Sequence, residues 1–241
     1  MTYPKNGPEV TAVMPTCGEG VRRQFARTSL RSFRLQTYEN RRMLILNHGK
    51  VPLLHPDVAQ NSNVREVMVQ WPETLGGLRN IAFKLVDTPY IINWDDDDWH
   101  GATRIAQQMY AIQRRKVRAS SLVRYVTYDL DTNESLVRSC LRFRCKCCGG
   151  TIMHKVGDER YEALSKGEDT AFARLFGAVG QLVQVHNDPL LYLRTCHGSN
   201  VSGRSHVLRS FDALPIPDLM AAEAKRIVAA EFSWYGKTKP S

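Results

Sequence analysis

The sequence predicts an α/β domain with a mostly parallel central sheet flanked by helices, on two observations. From residue 10 to residue 116, short apolar segments rich in β-branched residues alternate with amphipathic segments at helical spacing. Such alternation is typical of strand–helix–strand units around a parallel sheet. The chain also has 241 residues, 43% of them apolar. That is enough for a core that needs no disulfide or metal to fold.

The first half of the chain contains four predicted strands and three predicted helices. Each strand is a short apolar run that ends at turn-forming residues. The first helix places Val21, Phe25 and Phe33 on one face, with arginines around them. In order, we predict a strand at 10–17, a helix at 21–37, strands at 41–49 and 64–71, a glycine-bearing loop and helix at 73–86, a strand at 88–94 and a basic helix at 103–116.

The second half has a different pattern, with strands that are closer together. We predict strands at 121–130 and 135–145 joined as a hairpin, a strand at 148–155, a loop and helix at 158–180, a strand pair at 182–195 and a final helix at 217–232. The predicted organisation is one domain at 1–210 and a C-terminal helical tail at 211–241. Within the domain, residues 1–100 form a nucleotide-binding half and residues 101–210 an acceptor-side half.

Polar residues follow three of the predicted strands where each strand ends. They are Thr16–Gly18, Asn47–Gly49 and the four aspartates Asp95–Asp98. The carboxyl ends of parallel strands share one edge of a sheet, and ligands of such folds bind outside that edge. The sequence therefore predicts a binding site where these three segments meet.

The four consecutive aspartates predict a cation at this site. In an extended chain Asp95 and Asp97 would share one face, and Asp96 and Asp98 the other. Two carboxylates on one face suit a hard divalent cation such as Mg²⁺ or Mn²⁺, which leaves coordination positions for phosphate oxygens. The alternative is a solvated acidic turn in which Asp98 caps the next helix.

The charge balance predicts a polyanionic partner. Lysine and arginine number 33 against 24 aspartate and glutamate residues, for a net charge of +9. An excess of this size points to nucleic acid, phosphorylated ligands or acidic surfaces. The alternative is a solvated basic surface.

Two further features bear on the location of the chain. It has no apolar run long enough to span a membrane and no signal peptide at residues 1–10, so we predict a cytoplasmic protein with reduced cysteines. Cys140, Cys145, Cys147 and Cys148 lack the paired spacing of structural zinc sites, and we predict buried thiols instead.

Five segments of the chain resemble, in the same order, those of family 2 glycosyltransferases with the GT-A fold. They are VTAVMPTCGEG, LRSFRLQTYENRRMLILNHG, LGGLRNIAFKLVDTPYIINWDDDDW, KGEDTAFARL and YLRTCHGSNVS. Together they extend from residue 10 to about residue 203. The resemblance implies a GT-A fold and transfer of a sugar from a nucleotide-diphosphate sugar, with a UDP-sugar favoured, to an acceptor hydroxyl.

The resemblance also implies roles for residues near the acidic run. Asp97 matches the direct metal ligand and His197 a histidine that can complete the metal shell, with Mn²⁺ or Mg²⁺ as the cation. Asp95 matches the residue near the ribose, and Asp96 is a further donor-binding candidate, since Asp96 and Asp98 could exchange roles with Asp95 and Asp97. For His197 the alternative is an ordinary polar surface residue.

The remaining implied roles concern the base and the nucleotide. Asp169 matches the proposed catalytic base, with Glu168 beside it, although without the resemblance its position favours an N-terminal helix cap. Thr16 and Arg79 match residues that hold the nucleotide. Asn47 stands where the family commonly has an acidic pair that grips uracil and ribose. An asparagine can still hydrogen-bond a base, so Asn47 is a nucleotide-binding candidate.

The basic excess suggests a polyanionic acceptor. Our specific hypothesis is DNA that carries a hydroxymethylated base, as in some phages, and an enzyme that flips this base out of the duplex. Trp99, Arg142 and Arg144 are the candidate acceptor residues. The alternatives are a cell-surface polysaccharide or protein acceptor, a metal-dependent nuclease, and a nucleic-acid-binding protein without turnover.

Overall fold

The computed structural model describes residues 3–54, 63–142, 147–198, 200 and 213–236. The elements in chain order are β1 (Val10–Thr16), α1 (Gly20–Arg34), β2 (Arg41–Asn47), β3 (Val64–Met68), α2 (Leu75–Ala82), β4 (Tyr90–Asn93), β5 (Trp99–His100), α3 (Arg104–Arg115), β6 (Ala119–Leu122), β7 (Arg124–Asp129), β8 (Ser135–Ser139), β9 (Met153–Lys155), α4 (Glu168–Ala178), β10 (Leu182–Val185), β11 (Tyr192–Cys196), β12 (Ala213–Leu214) and α5 (Asp218–Glu231).

The central sheet has seven strands in the order β10-β6-β9-β4-β1-β2-β3. Strand β1 pairs in parallel with both β2 and β4, and β2 pairs in parallel with β3. Only β9 runs against its neighbours β4 and β6. The prediction of a mostly parallel sheet flanked by helices is therefore confirmed.

Helices cover both faces of this sheet, and the side chains of β1 show how. Ala12 and Met14 pack in the core cluster that contains residues of α1 and α3. Val13, which points the other way, packs in the cluster that contains residues of α2. A strand buried on both faces explains why its sequence is apolar throughout rather than alternating.

Five other strands form a second, separate sheet in the order β12-β8-β7-β11-β5. The predicted hairpin is confirmed, because β7 and β8 pair antiparallel. The single strand predicted at 121–130 is wrong: β6 pairs with β9 and β10 in the first sheet, whereas β7 pairs with β8 and β11 in the second. The strands predicted as a pair at 182–195 likewise belong to different sheets.

The C-terminal helix α5 packs onto the rest of the domain. Its residues Ala224, Ile227 and Val228 are buried in a cluster with Phe25 of α1 and Val126 of β7. The predicted helix is therefore confirmed, and the domain boundary near residue 211 stays a prediction. None of the helices in the described part of the chain has the length and apolarity required to cross a membrane.

Candidate active site

The three polar segments predicted to meet do so at the carboxyl edge of the parallel sheet. Thr16 ends β1 directly beside Asn47 at the end of β2. Val13 of β1 is level with Asn93, the last residue of β4, and the aspartates begin two residues later. Parallel pairing of these strands thus places the acidic run next to Thr16 and Asn47.

The backbone of the acidic run turns at Asp96 and Asp97 instead of remaining extended. The expected alternation of faces is therefore wrong. Asp95 accepts from Nη2 of Arg79 at 2.8 Å. Asp96 and Asp97 both accept from Arg22, with Nη2 to Asp96 Oδ1 and Nη1 to Asp97 Oδ2 each at 2.7 Å. The turn allows one guanidinium to contact two adjacent carboxylates.

Asp98 points into the protein and holds the second sheet against the acidic run. Its carboxylate accepts from the hydroxyl of Tyr192 and, at 2.9 Å, from the backbone N–H of Thr195. The Thr195 hydroxyl in turn donates to the carbonyl of Asp97 at 2.6 Å. Burial raises the pKa of Asp98 well above its usual value. Asp98 thus fixes the position of its neighbours, and it does not cap α3.

The pKa values of Asp96 and Asp97 shift in opposite directions. Burial raises the pKa of Asp96 to about 7, although Arg22 acts in the other direction. Burial would also raise the pKa of Asp97, but Arg22 and His197 outweigh it and hold this pKa below its usual range. The negative charge of the pair is therefore concentrated on Asp97.

His197 lies beside Asp97, as the metal-ligand prediction requires. Its Nε2 is 3.4 Å from Asp97 Oδ2. The imidazole stacks on Phe25, with ring centroids 4.1 Å apart. Asn200 contacts both residues, with Nδ2 3.2 Å from Asp97 Oδ2 and 3.2 Å from His197 Nε2. His197 is 1% exposed, so it is not a surface residue.

Arg79 connects the acidic run with the predicted catalytic region. Its Nε donates to Glu168 Oε1 at 3.2 Å, while its Nη2 contacts Asp95. The third nitrogen, Nη1, is buried and has no hydrogen-bond partner among the described residues. Glu168 is thus an ion-pair partner of Arg79, and Nη1 of Arg79 remains without an acceptor in the part of the chain that the structure describes.

Asp169 is the second residue of α4 and lies beside Asp95. A Cβ at Gly150 would stand 3.0 Å from Asp95 Oδ2 and 3.4 Å from Asp169 Oδ2, so the two carboxylates border the same small space. Asp169 Oδ1 accepts from the N–H of Thr170 at 2.6 Å, which leaves Oδ2 towards that space. Burial raises the pKa of Asp169.

Gly149 and Gly150 are site residues that the sequence analysis missed. A Cβ at Gly149 would stand 2.6 Å from the N of Thr170 and 2.8 Å from the backbone carbon of Asp169, closer than packed atoms approach. The residue must therefore be glycine for α4 to begin where it does. Two glycines within the strand predicted at 148–155 were the available signal, because glycine in a strand often marks a close backbone approach.

We expect the Gly149→Ala variant to lose at least about tenfold in kcat/KM, since α4 must shift and displaces Asp169, and small misplacements at a reacting centre are costly. Steady-state kinetics measure the loss. Gly177→Ala is the matched control, because its Cβ would meet only Leu182, at 3.9 Å. Equal activity of the two variants would show that the position of α4 does not matter.

The two residues predicted for the nucleotide at the ends of β1 and β2 make contacts within the protein. The Thr16 hydroxyl accepts from the N–H of Gly18 at 3.0 Å. The Asn47 amide donates to Glu66 at 2.7 Å and to the carbonyl of Val51 at 3.0 Å, and accepts from the N–H of Gly49 at 2.8 Å. Asn47 therefore shapes the loop after β2. The carboxylate of Glu66 on β3 is one of the acceptors of its amide.

The acceptor candidates lie in different environments. Trp99 is half-buried in β5, where it packs against the apolar cluster of α5 and β7. Arg142 ends a short 3₁₀ turn after β8, and Arg144 lies outside the described residues. Of the cysteines, Cys140 and Cys147 are buried as predicted. Cys148 is only half-buried, so that part of the prediction is wrong. Cys145 also lies outside the described residues.

A sequence model of glycosyl transferase family 2 matches residues 11–160, more than half of the chain. No curated protein matches the sequence. Among solved structures, S. aureus TarS 1-349 in complex with UDP-GlcNAc has a TM-score of 0.63 at 13% identity, covering 92% of this chain and 66% of that one. TarS 1-349 in complex with UDP has a TM-score of 0.60 at 13% identity, covering 95% and 72%.

A further crystal structure of TarS 1-349 has a TM-score of 0.60 at 12% identity, and the match covers 78% of this chain but only 60% of that one. These similarities show a shared fold. Together with the family match over residues 11–160, they confirm the GT-A fold, and the chain belongs to glycosyltransferase family 2.

Proposed function

We propose that the protein is a metal-dependent, inverting glycosyltransferase whose donor is a UDP-sugar. The observation that carries this proposal is the contact of Asp97 with His197 at the carboxyl edge of the sheet, 3.4 Å apart, with Asp95 and Arg79 beside them. The UDP and UDP-GlcNAc complexes of S. aureus TarS support the choice of nucleotide. Family membership favours transfer over the nuclease and the binding protein.

The residues present fit a divalent cation held jointly with the donor. The described residues contain no group of three or more His, Cys, Asp or Glu side chains arranged for a metal. Asp97 and His197 are two donors, and Mg²⁺-type sites commonly use one or two protein ligands and take the rest from phosphate and water. A cation held by Asp97 and His197 would neutralise the charge that develops on the departing diphosphate.

The other residues of the site would orient the donor and move a proton. Arg79 would offer Nη1, which has no partner among the described residues, to an oxygen of the donor. We assign Asp95 and Asp96 to the ribose. Asp169 accepts the proton of the acceptor hydroxyl as that oxygen attacks the anomeric carbon. Attack from the side opposite the leaving diphosphate inverts the anomeric configuration.

For the acceptor we keep hydroxymethylated DNA as the specific candidate, in the cytoplasm, where nucleotide sugars and DNA occur together. Its support is the net charge of +9. The exposed arginines Arg31 and Arg34, however, lie in the last turn of α1, which leads back to the amino end of β2, away from the acidic run. The acceptor contacts we propose are therefore Trp99, which directly follows the acidic run, and Arg142 and Arg144 in the second half of the chain.

The test measures turnover of a panel of nucleotide sugars in the presence of Mn²⁺. One set of reactions contains EDTA. Another compares two DNA duplexes of the same sequence, one with and one without hydroxymethylated bases. We expect one UDP-sugar to be consumed, EDTA to stop the reaction, and the hydroxymethylated duplex to accelerate it. Turnover without acceleration would remove DNA as acceptor and leave a polysaccharide or protein. Absence of turnover with any nucleotide sugar would overturn the proposed reaction.

A further inference from the structure

Arg22 forms ion pairs with two carboxylates of the acidic run, and no feature of the sequence singled it out from the other arginines of α1. Its guanidinium contacts Asp96 Oδ1 and Asp97 Oδ2, both at 2.7 Å. Paired charge-assisted hydrogen bonds of this kind are among the stronger polar contacts in proteins. Its side chain is 21% exposed, and that of Asp96 2%, so the contact is only weakly screened by water.

The backbone before α1 aims Arg22 at the aspartates. Gly18 and Gly20 have φ values of +59° and +51°, in the left-handed region that favours glycine. These two residues turn the chain from the end of β1 into the first turn of α1. The neighbouring Arg23 points elsewhere, with its guanidinium on the carbonyls of Gly18 and Pro52. The conformation of the loop between β1 and α1 therefore fixes the position of Arg22.

Arg22 binds the same oxygen that a divalent cation would need. Asp97 Oδ2 accepts from Arg22 Nη1 at 2.7 Å, and it is also the oxygen that lies 3.4 Å from His197 Nε2. A cation between Asp97 and His197 would stand next to a guanidinium of like charge and compete with it for this oxygen. The two cannot both be bound there at full strength.

We propose that Arg22 is a displaceable counter-cation of the donor site. It holds Asp96 and Asp97 together when no divalent cation is bound, releases Asp97 when the cation and donor bind, and then donates its freed N–H groups to the diphosphate. This inference rests on the proposed metal-dependent function. Its consequence is that Arg22 weakens binding of the bare cation and favours the cation that arrives with the donor.

The test is binding of Mn²⁺ alone, measured by electron paramagnetic resonance on the full chain without any nucleotide sugar. We expect Arg22→Gln to bind Mn²⁺ about tenfold more tightly than wild type, since one nearby like charge is removed. Arg22→Lys keeps the charge but lacks the two donor nitrogens that the guanidinium holds in fixed geometry against the two carboxylates, so its affinity should lie between the two. Arg27→Gln is the matched control, an exposed arginine of the same helix, and should match wild type.

A second readout separates this role from a merely structural one. Arg22→Gln should bind Mn²⁺ more tightly and yet have a lower kcat, because the diphosphate loses its donor. Equal or weaker Mn²⁺ binding by folded Arg22→Gln and Arg22→Lys would overturn the inference and leave the proposed transfer intact. Absence of Mn²⁺ binding in every variant would overturn both the inference and the metal dependence.

Discussion

The Asp97→Asn variant is expected to lose sugar transfer by at least about 10²–10³-fold, the cost of removing one electrostatic group from a reacting centre. Asp97 carries the negative charge of the Asp96–Asp97 pair, because Arg22 and His197 hold its pKa below the usual range. An amide has the same shape but no charge for a cation. Initial rates with saturating donor and Mn²⁺ measure the effect.

The same variant should also lose Mn²⁺ binding, which separates a metal ligand from a residue that only shapes the site. Asp87→Asn is a suitable control, because the Asp87 side chain is 79% exposed and lies before β4, at the amino edge of the sheet. The control should keep wild-type rates. Asp97→Asn with a rate within twofold of wild type would exclude Asp97 as the central ligand.

Replacing Asp169 by asparagine is expected to lower kcat by about 10²–10⁴-fold, the usual contribution of a general base, with little change in the affinity for UDP. Asp169 borders the space beside Asp95, and its Oδ2 faces that space. Glu168→Gln should behave differently, because Glu168 pairs with Arg79, and its loss should weaken donor binding more than it lowers kcat. Rates and UDP titrations of both variants decide between these roles.

The pH dependence of kcat gives an independent check on Asp169. Burial raises its pKa, and a base works only when deprotonated. Activity should therefore be full above the raised pKa and fall as the pH decreases through it, at a pH above the usual range of an aspartate. Asp169→Asn should lose this acid limb. An unchanged acid limb in that variant would show that another group is the base.

The location of the site could be predicted from the sequence, because ligands of parallel sheets bind at the carboxyl ends of the strands. The segments at Thr16, Asn47 and Asp95 each follow a buried strand, and parallel strands bring their carboxyl ends to one edge. The hydrogen-bond partners of the site residues could not be predicted from the sequence. Asp98 is fixed by Tyr192 and Thr195, almost a hundred residues later, and no local pattern predicts such a contact or the turn that accompanies it.

The same reason explains the errors in the second half. The sequence predicts one strand at 121–130, because no glycine or proline divides these residues, but β6 and β7 join different sheets. Which sheet a strand enters depends on its distant partners, here β9 and β10 for the first and β8 and β11 for the second. The role of Asn47 did not follow from the sequence either. Its amide could bind a base, and only the position of Glu66 on β3 shows that this amide makes contacts within the protein.

The most direct test of the central claim is a crystal structure with UDP and Mn²⁺, with diffraction data collected at the manganese absorption edge. We predict an anomalous peak beside Asp97 and His197, in contact with the diphosphate, and a guanidinium of Arg22 that has left Asp97. UDP bound at this edge of the sheet without an anomalous peak, and with Arg22 still on both Asp96 and Asp97, would contradict a metal-dependent donor site.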